Sequence, residues 1–293
     1  MKMLCLATWI FAFGLTAHAT DSNTRRAPNG PGGPSNFSNP MKQGFLAGYQ
    51  QNIWATIADG ILTEVYYPTL DRSQTQSTRF VFVMPDGRVL DEGKDLSSVS
   101  VTRYPQTLAF KAISEEPNVG IKLTKDFVLD PDTTAVAVRY QIELRDPAHT
   151  QVFLIHNSAV DNTLGGDGMR IDSNHNGFAE ITAEQSDRRG DEPDVMTPSK
   201  QILIVDRKAD DGTVGFLKVN DPLIQLRQYG QLRDHFDEAV YGNVSAALKF
   251  KLSSAKSTVR FVLALAPSAA DFDDLRSRAR VLFNLSSENL ITA

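Results

Sequence analysis

Cysteine is nearly missing from this sequence. Cys5 is the single cysteine among 293 residues, and it lies close to the N-terminus. A disulfide within the chain or a metal–thiolate cluster needs more than one thiol, so both are excluded. The fold must therefore be held together by a packed core. A share of 41% hydrophobic and 22% charged residues is typical of a soluble globular protein that can bury such a core.

An excess of positive charge is also missing. The chain has 30 Lys and Arg against 35 Asp and Glu, which gives a net charge of −5 at pH 7. Nucleic acids and anionic membranes attract clustered Lys and Arg. We therefore expect neither a nucleic-acid partner nor a membrane partner, whereas a neutral, polyhydroxylated ligand is compatible with this charge.

The common catalytic signatures do not occur either. The sequence has no Gly-x-Ser-x-Gly nucleophile elbow and no Walker or Rossmann loop. Its five histidines show no metal-ligand spacing. Glycoside hydrolysis needs two carboxylates placed across the scissile bond, and no pattern marks such a pair among the many Asp and Glu residues. No catalytic residue is assigned from the sequence.

The N-terminus has the features of a secretory signal peptide. Lys2 precedes an apolar run from Met3 to Leu15, and Ala17-His18-Ala19 forms a small-x-small cleavage site. The run is too short to span a bilayer, which argues against a membrane anchor. We predict a signal peptide over residues 1–19, cleavage near Ala19, and a periplasmic or secreted mature protein.

Residues 53–71 carry the strongest local pattern in the chain, IWATIADGILTEVYYPTLD. Two apolar, β-favouring runs flank Asp59-Gly60. An Asp-Gly pair between such runs predicts a β-hairpin with a type I′ turn, because both central residues of that turn need positive φ. Pro68 cannot donate a hydrogen bond to a strand ladder, so the second strand should end there or lie at an edge.

Strand patterns continue at short intervals as far as residue 267. Every second side chain from Val136 to Leu144 is apolar, so these side chains should share a core face. They are Val136, Val138, Tyr140, Ile142 and Leu144. Regular strands without intervening helices favour an all-β fold of two antiparallel sheets stacked in a sandwich. We assign the sandwich to residues 44–267, after a flexible arm over residues 20–43 that is rich in Asn, Gly and Pro.

Two regions break the strand pattern. Residues 223–238 are polar, and we predict a long loop with one helical turn. Residues 268–293 should form a C-terminal helix and tail, because Ser268 can cap a helix, acidic residues follow it and arginines come later. Apolar side chains on this helix recur at three- and four-residue steps and form one stripe, which either packs on the domain's own sheet or docks on a partner. The stripe consists of Phe272, Leu275, Ala279, Leu282 and Phe283.

Half of a calcium-binding motif occurs at residues 172–177, DSNHNG. Oxygen-bearing side chains at its first, third and fifth positions, followed by glycine, are what a hard cation requires. Asp172, Asn174 and Asn176 are the candidate ligands, and Glu180 could complete a non-standard site. The alternative is a polar hairpin loop that turns at Asn176-Gly177. Calcium is the only cofactor that the sequence suggests.

Six aromatic residues could offer flat apolar faces to sugar C–H groups or to a neighbouring domain. Tyr and Trp suit such surfaces because one end of the side chain is apolar and the other is polar. We treat the six as candidates for carbohydrate binding or for a domain interface. They are Trp54, Tyr66, Tyr67, Tyr229, Phe236 and Tyr241.

Several segments together resemble one protein family. The run at residues 53–71 resembles the opening hairpin of the N-terminal β-sandwich domain, domain N, of glucodextranases and bacterial glucoamylases. FLIHNSAVDNTLGGDG at residues 153–168 resembles a strand of that domain that runs into an Asn- and Gly-rich loop. YGNVSAALKFKL at residues 241–252 resembles its late strand. One departure is Asp221-Pro222-Leu223, which stands where an Asp-Gly-Trp is expected.

The resemblance implies the large two-sheet supersandwich of galactose mutarotase-like domains. In the family this domain precedes an (α/α)6 barrel that carries the glucoside-cleaving glutamates. The chain stops at Ala293, after the helix that would lead into the barrel, so we expect the catalytic half to be absent and the chain to have no glucosidase activity of its own. The resemblance then implies a secreted carbohydrate-binding or accessory domain. Its partner would be a glucan, an oligosaccharide, or a separate catalytic barrel protein.

Two alternatives to an accessory domain stay open. The chain could be an enzyme in its own right, an epimerase or lyase that uses the face of the sandwich. Mutarotase-type enzymes on this fold use His and Glu on a concave face, and such a set cannot be matched to His149, His156 or His235. The chain could also be an idle remnant of a split glucoamylase gene.

Overall fold

Strands make up most of the structure, a computed structural model that describes residues 24–34, 41–48, 50–130, 132–162, 166–185 and 199–284. In chain order the strands are β1 Gly44–Gly48, β2 Ile53–Ala58, β3 Ile61–Tyr66, β4 Thr75–Val83, β5 Val89–Asp91, β6 Ser98–Arg103, β7 Phe110–Glu116, β8 Ile121–Leu129, β9 Ala135–Leu144, β10 Gln151–Ser158, β11 Asp167–His175, β12 Phe178–Gln185, β13 Ser199–Val205, β14 Asp211–Phe216, β15 Glu238–Gly242, β16 Val244–Phe250 and β17 Lys256–Pro267. The helices are α1 Pro222–Tyr229 and α2 Phe272–Asn284, with a 3-10 turn at Val160–Asn162.

The strands form two antiparallel sheets. The eight-stranded sheet has the order β1-β2-β3-β4-β10-β16-β14, with β5 paired to β4, and the nine-stranded sheet has the order β15-β11-β12-β13-β17-β9-β8-β7-β6. Both sheets contribute to one large apolar core. In it the rings of Phe80 and Tyr140, one from each sheet, meet edge to face with centroids 4.8 Å apart. The all-β sandwich predicted from the sequence is confirmed.

The predicted hairpin at Asp59-Gly60 joins β2 to β3. Both turn residues have positive φ, 50° and 72°, as a type I′ turn requires. Gly60 is also packed too closely for any side chain: a Cβ atom there would lie 2.8 Å from Val99 Cγ1 and 2.9 Å from Ser114 Oγ. Because Val99 and Ser114 belong to the nine-stranded sheet, this turn brings the two sheets into contact at one end.

Alternation along the inner strands produces the core. On β9 the five predicted side chains are at most 4% exposed, so the predicted core face is confirmed. The same alternation on β8 directs Ile121, Leu123 and Phe127 inward. Lys125 occupies an inward position of that series and is fully buried. A charged side chain therefore lies inside the sandwich.

Helix α2 packs on the outer face of the nine-stranded sheet. Leu275, Ala279 and Leu282 are buried there in a cluster with Ile202 and Val262 of the sheet. The apolar stripe predicted on this helix exists, and most of it is used within the domain. Of the two alternatives for the stripe, packing on the domain's own sheet is therefore the one that the structure shows.

Helix α1 covers the outer face of the eight-stranded sheet. Asp221 caps it by accepting a hydrogen bond from Leu223 N at 2.9 Å, and Pro222 occupies its first turn. Leu226 is buried against Phe153 of β10. The sequence prediction of a loop with one helical turn underestimates this helix, which has eight residues. The unexpected Asp-Pro-Leu thus begins a helix.

Residues 24–34 lie against the domain, although the sequence predicts that they belong to a flexible arm. Ala27 N donates a hydrogen bond to Glu238 O at 2.7 Å, and Ala27 is buried. Gly30 faces the ring of Phe216 so closely that a Cβ atom would lie 2.9 Å from Phe216 Cζ. Glycine in this segment therefore permits close packing. From composition alone, the same glycines predict a flexible arm.

Two of the predicted terminal segments fall outside the described residues, namely the signal peptide over 1–19 and the tail after Asn284. Within the described ranges, neither helix combines the length and the apolar character that a bilayer crossing demands.

Candidate functional site

Two of the six aromatic candidates meet on the outer face of the eight-stranded sheet. Trp54 on β2 lies directly opposite Tyr66 on β3. Ile53 and Ala55, on either side of Trp54, are fully buried in the core, so alternation turns the indole outward. Both rings are half-buried. Opposed residues of an antiparallel pair lie close enough for their side chains to touch, so the rings form one surface.

Phe45 extends this surface onto the edge strand β1. It is paired with Thr56 of β2 and remains 45% exposed. Thr56 is two residues from Trp54 and therefore shares its face of the sheet. Three aromatic rings from three adjacent strands thus point to the same side.

Glu64 adds a carboxylate to the same face. Lys42 Nζ lies 2.5 Å from its Oε2, and Thr56 Oγ1 donates to the same oxygen at 2.8 Å. Burial opposes ionisation, but the hydrogen bonds from Lys42 and Thr56 outweigh it and lower the pKa of Glu64. Burial, and after it the charge of Glu64, raises the pKa of Tyr66. We name this surface the aromatic platform, defined as Lys42, Phe45, Trp54, Thr56, Glu64 and Tyr66.

The aromatic platform is suited to binding. Its rings offer flat apolar faces, and the Tyr66 hydroxyl, protonated at neutral pH, can donate a hydrogen bond. The Glu64 side chain is only 4% exposed, and it fixes the ammonium of Lys42, whose side chain is 26% exposed. Glu64 is a poor general acid because it is ionised and already hydrogen-bonded. Ligands with both C–H faces and hydroxyl groups, such as sugars, match this combination of groups.

The other four aromatic candidates lie elsewhere. Tyr67 is 9% exposed and belongs to the core, and Phe236 packs half-buried against the same core. Tyr229, at the end of α1, has the guanidinium of Arg233 3.8 Å from its ring centre. Tyr241 is 55% exposed on β15, in the other sheet. The six candidates therefore do not form one surface, and the pair that shares a face of the sheet is Trp54 and Tyr66.

Four members of the aromatic platform were not predicted from the sequence: Lys42, Phe45, Thr56 and Glu64. Period-two alternation could have found Glu64, because it lies two residues before Tyr66 in a segment already assigned as a strand. It could not have found Phe45, since the pairing of β1 with β2 depends on the fold. Lys42 belongs to the predicted arm, where strand patterns give no information.

The calcium half-motif forms the turn between β11 and β12. Asn176 and Gly177 have φ of 54° and 92°, so the polar hairpin turn proposed as the alternative is confirmed. Asp172 Oδ1 accepts a hydrogen bond from Asn174 N at 2.9 Å, and Asn174 Oδ1 accepts one from Gly177 N at 3.1 Å. Two of the four candidate ligands thus stabilise the turn itself.

Glu180, the fourth candidate calcium ligand, is already neutralised. Its carboxylate is 2% exposed and accepts hydrogen bonds from Arg276 Nε at 2.7 Å and from Arg280 Nη2 at 2.8 Å. Nowhere in the described ranges do three or more His, Cys, Asp or Glu side chains converge as a metal site requires. Calcium binding stays a prediction, and the hydrogen bonds of Glu180 do not favour it.

The three histidines considered for an epimerase have unrelated surroundings. His156 is 1% exposed, and its Nδ1 is 2.8 Å from Thr78 Oγ1. Burial lowers the pKa of His156 to about 3. His149 lies on the surface beside Asp146, and His235 lies beside Asp211. The geometry therefore does not assemble them into one catalytic set.

A match to a known family model identifies the family of this chain. The family model of glucodextranase, domain N, matches residues 27–278, which include both sheets. The chain belongs to the glucodextranase domain N family. The match begins in the docked N-terminal segment and ends within α2, so both of these elements belong to the domain N unit.

Two glucoamylases illustrate how this domain N chain relates to longer proteins. It is 24% identical over 231 residues to a glucoamylase of Clostridium sp. (strain G0005), a match that covers 76% of the chain and 30% of that protein. A crystal structure of bacterial glucoamylase complexed with acarbose shares the fold, with a TM-score of 0.78 and 23% identity over 92% of the chain and 38% of the glucoamylase. The chain thus spans about a third of the length of these relatives.

A more distant similarity is to a family GH92 inverting mannosidase from Bacteroides thetaiotaomicron. Its TM-score is 0.48 at 11% identity, and the match covers 82% of the chain and 32% of the mannosidase. Membership of the domain N family therefore rests on the match to the family model. The glucoamylase structure shows that the fold is shared.

Proposed function

We propose that this domain N protein is an exported, carbohydrate-binding accessory domain that holds glucan chains on the aromatic platform. Membership of the glucodextranase domain N family and the similarity to glucoamylases point to glucan as the ligand class. The single observation that carries the proposal is the cross-strand pair of Trp54 and Tyr66 beside the ionised Glu64.

The position of the aromatic platform suggests how a glucan would bind. The rings lie on the face of a sheet, so a polymer could pass across them without presenting a chain end. A surface of this kind would bind internal segments of a glucan. It would raise the local concentration of substrate for a glucan-hydrolysing enzyme, whether that enzyme is joined to the domain or is a separate catalytic barrel protein.

Tryptophan fluorescence tests the proposal directly. The sequence has two tryptophans, Trp9 and Trp54, so a chain that begins at Thr20 reports only on the aromatic platform. Titration with malto- and isomalto-oligosaccharides should give a saturable change in Trp54 emission. Calorimetry under the same conditions should give the same dissociation constant.

Variants locate the binding surface. Tyr66→Ala should weaken binding roughly tenfold or more, which corresponds to about 1.4 kcal/mol. Tyr241→Ala removes an exposed aromatic ring from the other sheet and should leave binding unchanged. Saturable binding that Tyr66→Ala leaves intact would move the site away from the aromatic platform. Absence of both heat and fluorescence change with every glucan oligosaccharide would overturn the proposal.

The accessory function also implies an expectation about activity. The purified chain should release no glucose from starch or dextran, because cleavage needs an acid and a base placed on opposite sides of the bond. Glucose release that survives repeated purification would contradict this expectation. Conversion of free aldoses or polyuronides would favour the epimerase or lyase alternative, and a lack of both binding and activity would favour the idle remnant.

Export is the second part of the proposal. The apolar run and small-x-small site near Ala19 predict a mature chain that begins at Thr20 and resides in the periplasm or outside the cell. Intact-mass measurement on native material checks this. A mass that still includes residues 1–19 would show that the segment is retained.

A further inference from the structure

A second surface of the domain has the dimensions of a ligand site. A groove of about 590 Å³ runs along the outer face of the nine-stranded sheet, between the beginning of α2 and the docked N-terminal segment. Pockets of 300–1,000 Å³ are typical of small-molecule sites. The groove lies on β11 and β12, far along the sheet order from the edge that carries β6. Its principal side chains are Arg26, Arg170, Glu184, Glu238, Phe272 and Arg276.

One wall of the groove is a carboxylate shared by two arginines. Glu238 Oε1 accepts from Arg170 Nε at 2.8 Å, and its Oε2 accepts from Arg26 Nε at 3.0 Å. Burial opposes ionisation of Glu238, but the hydrogen bonds from Arg170 and Arg26 lower its pKa below the ordinary value. The Glu238 side chain is 6% exposed, whereas those of Arg26 and Arg170 are 60% and 69% exposed. The carboxylate thus fixes two guanidinium groups whose remaining N–H donors are accessible from the groove.

The opposite wall combines an apolar ring with a fixed cation. Arg276 is 13% exposed in its side chain and is held by Glu180 at 2.7 Å. Phe272 presents an aromatic ring at the beginning of α2, with Lys200 Nζ 4.4 Å from its centre. Glu184 is exposed on β12 and supplies a carboxylate acceptor.

Charges of both signs meet in and below the groove. Four carboxylates, those of Glu180, Glu184, Glu238 and Asp273, oppose five cations, those of Arg26, Arg170, Arg276, Arg280 and Lys200. The carboxylates offset all but one of these cations, so the net field of the groove is weak. The groove still offers fixed, planar hydrogen-bond donors and acceptors, which suit neighbouring hydroxyl groups.

We propose that this groove is a second carbohydrate site, which binds a short neutral oligosaccharide through hydroxyl contacts to Arg170, Arg26 and Glu184 and through its apolar face to Phe272. The proposal takes its ligand class from the proposed function, but it uses different residues on the other sheet. Because Arg26 belongs to the docked N-terminal segment, the site is complete only while that segment is in place.

Calorimetry with maltotriose and isomaltotriose on the chain from Thr20 tests the groove. We expect two binding events, of which only one changes the fluorescence of Trp54. Arg170→Ala and Glu184→Ala should each weaken the second event roughly tenfold and leave the Trp54 event unchanged. Arg278→Ala is the matched control, because Arg278 is an exposed helix arginine paired with Asp274 and lies outside the groove.

Two variants distinguish a loss of binding from a loss of folding. Glu184 is exposed, so Glu184→Ala removes an acceptor without breaking the buried Glu238 pairs. Arg170→Lys keeps the charge but loses the planar fork, and it should behave like Arg170→Ala. Melting temperatures within the range of the Arg278→Ala control would confirm that the variants are folded.

The outcomes separate the two proposals. A single event that reports on Trp54 and ignores the groove variants would overturn the groove proposal and leave the aromatic platform standing. An event that depends on Arg170 and Glu184 but not on Trp54 would support the groove and contradict the platform. Glucuronate binding in the groove more tightly than glucose would overturn the neutral-ligand argument, since it would show an anion site.

Discussion

Lys125 Nζ lies 2.5 Å from Glu92 Oε1, and both side chains are completely shielded from solvent. Lys125 belongs to β8 of the nine-stranded sheet, and Glu92 directly follows β5 of the eight-stranded sheet. Ser114 Oγ accepts from the same ammonium at 2.7 Å, and Glu92 Oε2 accepts from Phe80 N at 2.9 Å. An ion pair with its own hydrogen-bond partners therefore joins the two sheets within the core.

Removing one member of this pair should be costly. Lys125→Met leaves the Glu92 carboxylate buried without its cation, so we expect a loss of about 3–5 kcal/mol in the free energy of unfolding. The double variant Lys125→Met/Glu92→Gln keeps a neutral acceptor for Phe80 N, and it should recover part of that loss. Urea denaturation measures both variants. A single-variant loss under about 1 kcal/mol would mean that the pair behaves like an exposed one.

Gly60 and Gly87 form a matched pair of positive-φ glycines. Their φ values are 72° and 84°, but a Cβ atom at Gly60 would lie 2.8 Å from Val99 Cγ1, whereas one at Gly87 meets nothing within 4 Å. Both alanine variants have the backbone cost, and only Gly60→Ala adds overpacking of about 1–3 kcal/mol. Thermal and urea unfolding should therefore show that Gly60→Ala is much less stable than Gly87→Ala. Equal losses would show that the turn can move away from the nine-stranded sheet.

Mild acid should destabilise the domain through His156. Burial lowers its pKa to about 3 in the folded state, against about 6.5 in an unfolded chain. Between these values the unfolded chain binds a proton that the folded chain excludes, so stability falls as the pH falls, by about 1.4 kcal/mol per pH unit. His156→Gln should flatten the slope between pH 6.5 and 5, and the exposed His149→Gln should not. An unchanged slope in His156→Gln would contradict the assignment.

Docking of the N-terminal segment should depend on Glu238 more than on Asp237. Arg25 pairs with Asp237, which is 34% exposed, while Arg26 pairs with Glu238, which is 6% exposed. Glu238→Gln should therefore accelerate trypsin cleavage after Arg25 and Arg26 by roughly tenfold, as expected for losing a charge-assisted hydrogen bond. Asp237→Asn should have a smaller effect.

The control for the trypsin experiment is Asp274→Asn, which breaks the surface pair with Arg278 on α2. This variant should leave the cleavage rate after Arg25 and Arg26 unchanged. If Glu238→Gln and Asp274→Asn are cleaved at the same rate, the segment is held by its backbone bonds to β15 and by its glycine contacts, without a contribution from the ion pairs.

Calcium should leave the stability of the domain unchanged. Asp172 and Asn174 already accept backbone hydrogen bonds in the hairpin turn, and Glu180 is held by two arginines. Melting temperatures with calcium and with EDTA should therefore agree, and Asp172→Ala should lower both equally. A calcium-dependent rise that Asp172→Ala abolishes would restore the site predicted from the sequence.

The sequence predicts the strands better than their partners. The Asp59-Gly60 hairpin and the core face of β9 follow from local rules, the turn chemistry of Asp-Gly and the period of two. The burial of Lys125 also follows the period of two, since it belongs to the same every-second-residue series as Ile121, Leu123 and Phe127. A charge at that position nevertheless argues against burial until a partner is known. Glu92 lies 33 residues away in the chain, and only the fold brings it close.

The two candidate sites differ in how much a sequence can reveal. Trp54 and Tyr66 belong to one hairpin, but the Asp59-Gly60 turn alone would pair Trp54 with Val65. A register shift between Ala55 and Ile57 places Trp54 opposite Tyr66, and the turn chemistry does not predict that shift. The groove is assembled from Arg26, Arg170 and Arg276, which come from three distant parts of the chain. The docked segment that supplies Arg26 has no periodic pattern, and its glycines pack closely against Phe216 and the backbone of Leu217.

The strand order has a consequence for how the protein is made. In the eight-stranded sheet β16 is the neighbour of β10, and in the nine-stranded sheet β17 lies between β13 and β9. Both sheets thus need strands from near the C-terminus, and a nascent chain that ends before residue 244 lacks an interior strand of each sheet, β16 in one and β17 in the other. Exposed strand edges of this kind attract other chains. A chaperone that keeps the nascent chain extended until its last strands have been synthesised would therefore protect this fold more than one that assists folding of its N-terminal half.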